Sequence, residues 1–246
     1  MVFTMMDPRV RKALDNGDLP ALRRALDDGA DPNLSDDGGY TPLIHAANVN
    51  HVGCVARLIE AGANPNCHAG SCTPLNFAAS YGRIALIRVL LAGGARADFV
   101  PPDSQYRSPL RCAIRHGHLL AVRLLLAAGA DANHQLAQGT TRSPLACAVE
   151  YIPVDRRILP VLLRAGASIN DPYLTTVFRN VWFFSEHKKK VIRYLQAVHA
   201  AGGFPAYARS HRSRFAAIFS RGTRLPADVI PTIVEYWAHL GWYKYE

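Results

Sequence analysis

The chain has 246 residues, is 49% hydrophobic and carries a formal net charge of +9. That apolar share is ample for a core, and no apolar run approaches the ~20 residues a membrane helix needs. The charge is uneven: residues 1–171 hold 17 Lys and Arg against 15 Asp and Glu, while residues 172–246 hold 11 against 4.

In chain order, the first segment (residues 1–6) is apolar but too short for a signal peptide, and Asp7-Pro8 follows it. Residues 7–33 read as two short helices. Val10, Ala13 and Leu14 serve one, and Leu19, Leu22 and Leu26 the other, closed by Gly29-Ala30-Asp31-Pro32-Asn33. Arg9, Arg11, Lys12, Arg23 and Arg24 crowd the segment, as expected of a capping face turned to solvent.

A motif then recurs. Thr41-Pro42-Leu43 returns as Thr73-Pro74-Leu75, Ser108-Pro109-Leu110 and Ser143-Pro144-Leu145. Each opening leads into a short Ala-containing run, a second apolar run, and then Gly62-Ala63, Gly94-Ala95, Gly129-Ala130 or Gly166-Ala167. Self-similarity at this period marks stacked repeats. Within the first copy, Thr41 is a helix N-cap and Pro42 suits the first turn, where a missing N–H costs nothing. Leu43, Ala46 and Ala47 give a small apolar face, Asn48 to Asn50 a tight link, and Val52, Val55, Leu58 and Ile59 a helical stripe. One such unit cannot bury its stripe alone, so its neighbours must cover it.

These residues resemble the ankyrin repeat. The resemblance covers about residues 7–203 and implies an all-α ankyrin-repeat solenoid of about six helix-turn-helix units. The expected divisions are a degenerate N-terminal capping repeat over 7–33, four clear repeats over 34–170, a degenerate sixth over 171–203, and a basic helical C-terminal cap over 204–246. One departure stands out. The family usually places His after Thr-Pro-Leu, tying helix to neighbouring turn; here Ile44, Asn76, Arg111 and Ala146 stand there. The usual hydrogen-bond ladder between repeats is therefore not expected from that position.

The third and fourth repeats carry extra residues, Phe99 to Tyr106 and His134 to Arg142, with Ile152-Pro153 between the helices of the fourth. Such insertions map to loops. In the sixth unit, Val177, Val181 and Trp182 suit a first helix and Val191, Leu195 and Val198 a second, ending at Gly202-Gly203. His187-Lys188-Lys189-Lys190 is expected as a solvated loop between them, with a nuclear address as the sharper reading. Cytoplasmic residence, with nuclear entry as the added option, is the corresponding expectation.

Beyond 204 the period breaks. Arginines surround Phe215, Ile218 and Phe219; then come Leu225-Pro226 and an amphipathic run through Ile230, Ile233, Val234 and Trp237. A cap over the last repeat is the plain reading. The tail also bears a faint resemblance to a SOCS-box or F-box-like docking segment, which would place Phe215, Phe219, Leu225, Pro226, Ile233 and Trp237 against a ubiquitin-ligase subunit.

No motif of catalysis is present: no Gly-x-Ser-x-Gly, no His-Glu-x-x-His and no phosphate loop. A non-enzyme without cofactor is expected. The five cysteines follow the repeat spacing rather than a disulfide framework, and Cys67-His68 with Cys72 lacks a second ligand pair for zinc. Cys112 and Cys147 read as small buried hydrophobes.

By the ankyrin resemblance, turn tips and the exposed face of each first helix form a concave groove. That assigns partner contact to Tyr40, Gln105, Arg107 and Arg142 from the turns. From the helices it assigns Asn48, Ser80, Tyr81, Arg115, His116, Glu150 and Tyr151. The implied function is a protein–protein interaction scaffold, with some preference for acidic surfaces. The alternatives are a substrate receptor docking a ubiquitin ligase through 205–246, and nucleic-acid or anionic-surface binding through the basic last third.

Overall fold

A computed structural model describes residues 5–101, 108–134, 142–151, 157–180, 185–211 and 213. The chain divides into two compact units, residues 1–171 and 172–246.

The first unit is built from antiparallel helix pairs: α1 (Pro8–Asn16) with α2 (Leu19–Asp27), α3 (Pro42–Val49) with α4 (Val52–Glu60), α5 (Pro74–Ser80) with α6 (Ile84–Ala92), α7 (Pro109–Arg115) with α8 (Leu119–Ala127), and α9 (Pro144–Glu150) with α10 (Ile158–Arg164). First helices stack on first helices and second on second along the series. The reason each first helix starts where it does is local. The hydroxyls of Thr41, Thr73, Ser108 and Ser143 accept from the N–H three residues on, and proline occupies the next position. All four cap residues are buried.

Alanine pairs allow the close stacking. Ala46 and Ala47, and Ala78 and Ala79, are inaccessible, as are Leu58, Ile87, Leu90 and Leu125 on the second helices. The stripe on α4 is Cys54, Val55 and Leu58, with Val52 and Ile59 half-buried at its borders. Helix α3 runs two residues further than the sequence suggests: Asn48 and Val49 are helical, and Asn50 alone makes the left-handed stop at φ 66°.

Two ladders of side chains join neighbouring pairs, and neither uses the position after Thr-Pro-Leu. In the first, the Asn66 amide accepts from Arg96 N–H (2.8 Å) and donates to the Gly94 carbonyl (3.2 Å). Asn33 repeats this toward Asn64 N–H and Gly62 O, and Asn133 toward Ser168 N–H and Gly166 O. Asp98 occupies the same rung but can only accept, so both its oxygens take the Asp131 N–H. In the second ladder, the residue before the second helix of the third and fourth pairs reaches back to the preceding pair. Arg83 Nη1 donates to Ala47 O and Asn48 O at 2.7 Å, and His118 Nε2 to Ser80 O at 3.0 Å. His51 sits against Gly17 as His118 sits against Gly82. A Cβ on either glycine would lie 2.6 Å from the imidazole, and both have φ above 60°. At the position where the family's His is missing, Ile44 and Ala146 are buried apolar residues, Asn76 bonds its own turn at Ser71 O, and Arg111 reaches the next turn, at Arg142 O.

In the second unit, α11 (Pro172–Arg179) buries Leu174 and Val177, and α12 (Glu186–Ala200) buries Val191, Ile192, Leu195 and Val198. Residues 204–211 are helical again, with Phe204 buried. One expectation is corrected. Residues 187–190 are not a loop between helices but the opening turns of α12, because Ser185 caps the helix by accepting from Lys188 N–H. Val181 and Trp182 lie outside the described residues.

Candidate protein-recognition face

The residues expected to meet a partner fall at the two ends of the first helices. Those helices are seven or eight residues long, about 10–12 Å at 1.5 Å per residue. Tyr40 and Arg142 stand at the N-terminal end; Asn48, Ser80, Tyr81, Arg115, His116, Glu150 and Tyr151 stand at the C-terminal end. Gln105 and Arg107 lie outside the described residues, as do Phe215, Phe219, Leu225, Pro226, Ile233 and Trp237.

At the N-terminal end of α3, Tyr40 is half-buried and its ring centroid lies 5.5 Å from that of His45. His45 Nε2 is 2.8 Å from Asp36 Oδ2, which also takes Arg11 Nη1 at 2.8 Å, so one carboxylate ties α1 to α3. Asp36 Oδ1 accepts from Gly38 and Tyr40 N–H and closes the turn. Burial by itself would push this carboxyl up; the hydrogen bonds from His45, Tyr40 and Gly38 outweigh it and hold the carboxyl below its ordinary value. Tyr40 thus packs into a structural node while staying half-buried at its surface.

Across α7 and α9 the expected residues do come together. Arg142, just before α9, forms an ion pair with Glu150 at the helix's far end. The Arg115 guanidinium lies 5.2 Å over the Tyr151 ring. At α5, Tyr81 is 57% exposed with the Arg83 guanidinium 4.5 Å above its ring. His116 is exposed and stacks on His118 at 6.3 Å. Asn48 is exposed, and Ser80 is half-buried. Arg83 escaped the sequence reading, and Arg111 was read only as standing where the family's His is missing. The register contained the signal for Arg83, since it occupies the position of His51 and His118.

Burial pushes the Cys147 thiol up, against the nearby Arg111 and Arg115, and likewise the Cys67 thiol, whose Sγ lies 3.1 Å from Thr41 Oγ1. Cys112 and Cys147 are buried, as the repeat position suggests. Among the described residues no cluster of three His, Cys, Asp or Glu side chains could hold a metal, and no helix is long and apolar enough to cross a membrane.

Against protein families, residues 11–103 match the model for ankyrin repeats in three copies, and residues 105–135 match a further ankyrin repeat. The chain belongs to the ankyrin-repeat family. The crystal structure of the human ASB11 ankyrin repeat domain aligns with a TM-score of 0.61 and 28% identity, covering 77% of this chain and 83% of that one. Among curated proteins, the Neurospora crassa "Ankyrin repeat protein nuc-2" is 38% identical over 65 residues, which is 26% of this chain. The "Ankyrin repeat, SAM and basic leucine zipper domain-containing protein 1" of Atelerix albiventris is 43% identical over 54 residues, 22% of this chain. These matches span only 6% and 11% of the two relatives' lengths. Ankyrin repeats are protein-interaction modules and generally non-enzymatic, and the repeats of this chain form such a scaffold.

Proposed function

We propose that the scaffold engages its partner through the exposed ends of the first helices, centred on α7 and α9. The observation that carries this reading is the Arg115–Tyr151 stack beside the Arg142–Glu150 pair. Arginine and tyrosine dominate binding hot spots because they join contact area to directional hydrogen bonds. Here both are held in place by neighbours on the same stack, so little side-chain freedom remains to be lost on binding. The apolar faces of the same helices are consumed by stacking, which leaves the ends and the solvent face for recognition. The test is a photo-crosslinking amino acid placed at Arg115 and, separately, at Arg123 on the second helix α8, both exposed. In cell extract, a crosslinked protein is expected from position 115 and not from 123. Crosslinks from 123 alone would overturn the reading.

A further inference from the structure

The C-terminal ends of the first helices carry a second regularity. Eight residues after each cap stand Val49, Tyr81, His116 and Tyr151. Val49 is 46% exposed, Tyr81 57%, and Leu120, at the start of the adjacent α8, 60%. Of the four large hydrophobic residues reported as exposed among the described residues, three therefore lie on this one edge; the other is Met5, near the N-terminus. Scattered single apolar residues are ordinary on a surface, but three gathered on one edge of a stack, from three successive helix pairs, are not scattered.

The same edge has no carboxylate over the second to fourth pairs. Residues 48–51, 80–83 and 115–118 contain two arginines, three histidines and no Asp or Glu. Glu150, on the next pair, is spoken for by Arg142. The opposite edge, where second helices end, holds Asp27, Asp28, Asp31, Glu60, Asp98 and Asp131. An apolar row flanked by cations on an acid-free edge is complementary to a segment of opposite charge with apolar teeth.

Spacing adds a conformation. Packed helices stand about 8–10 Å apart, so the exposed side chains recur at about that interval. A polyproline-II chain advances about 3.1 Å per residue with three residues per turn, placing every third side chain on one face about 9 Å apart. We infer that this edge, from Val49 to Leu120, binds an extended acidic segment of a protein partner that presents an aliphatic or aromatic side chain at every third residue. The inference rests on the reading of the first helices as the recognition face and names the chemistry of what they take.

The test uses the full chain and a fluorescent peptide, Glu-Leu-Glu-Glu-Tyr-Glu-Glu-Leu-Glu, followed by anisotropy. Binding is expected to weaken at least about tenfold when the peptide's glutamates become lysine or glutamine, or when its anchors become serine. Tyr81→Ser and Leu120→Ser should each weaken it about fivefold or more, as loss of an anchor contact does. Arg88→Ser, on the second helix α6, should leave affinity unchanged. Circular dichroism checks that each variant is folded, which is expected because Tyr81 and Leu120 are mostly exposed. The inference is overturned if the peptide does not bind, if the glutamine peptide binds equally, or if both variants bind as the parent does. The crosslinking at Arg115 reads the underlying recognition face independently, so a protein captured there with no peptide affinity would sink this inference alone.

Discussion

The two edges of the stack solve one problem with different chemistry. Where second helices end, neighbouring repeats are joined by short asparagine and aspartate side chains bonded to backbone, and the surface is acidic. Where first helices end, they are joined by long side chains, Arg83 and His118, that reach across to carbonyls, and the surface is basic and apolar. Short rungs spend their whole polar group on the next repeat. Long ones lay a ring or guanidinium along the surface as they cross, which is how Arg83 comes to lie over Tyr81. The first edge is a zipper; the second is a zipper that also displays contact area.

Breaking the long-rung edge should cost the most. Gly82 lies at φ +63° with the His118 ring where a Cβ would go. Gly82→Ala is expected to lower unfolding free energy by about 2–3 kcal/mol, from backbone strain plus the clash. In a His118→Ala background the same change should cost less, a coupling that a double-mutant cycle under urea would read directly. A short rung is worth less. Asn66→Ala removes one accepted and one donated bond to the next repeat and should cost about 1–2 kcal/mol by the same measurement.

The Asp36 node lies at the start of the stack. Its carboxyl is held below its ordinary value of 3.8 in the folded chain. The stability it contributes is therefore full above that ordinary value and is lost as pH falls through the lower folded-state value. Asp36→Asn should flatten that part of the acid limb of a stability–pH curve. An unchanged limb would show that the Arg11 and His45 contacts to this carboxylate contribute nothing. The smallest effect should be a gain. Asp98 accepts but cannot donate on a rung where asparagine does both, and it sits beside Asp131. Asp98→Asn should stabilise the chain by about 0.5–1 kcal/mol, by completing the rung and removing a carboxylate from an acidic edge.

Much of this was legible in advance because it is local. Thr41 and its three counterparts cap helices by bonding a backbone N–H three residues away, which needs no partner from elsewhere in the fold. Gly62, at φ 89° just past α4, stops that helix for an equally local reason. The ankyrin assignment followed from those signals repeating in register. The lysine run misled because Ser185 is itself a cap, three residues before Lys188, and moved the start of α12 ahead of the charges. The surroundings of the assigned contact residues were half legible: the register placed Tyr81 and Arg115 at exposed helix ends, but gave no sign that Tyr40 is half-buried against His45 beside Asp36.

By itself, then, the sequence determined the repeat, its caps and stops, and the small residues that let repeats stack, since each depends on neighbours within a few positions along the chain. Only the tertiary structure decided which rungs join the repeats. Asn66 and Arg96, Arg83 and Asn48, and His118 and Ser80 are about thirty or more positions apart and meet because stacking brings them together. It also decided the division between an acidic edge and an apolar, basic one, because an edge is made of residues from successive repeats and exists only once the repeats are packed.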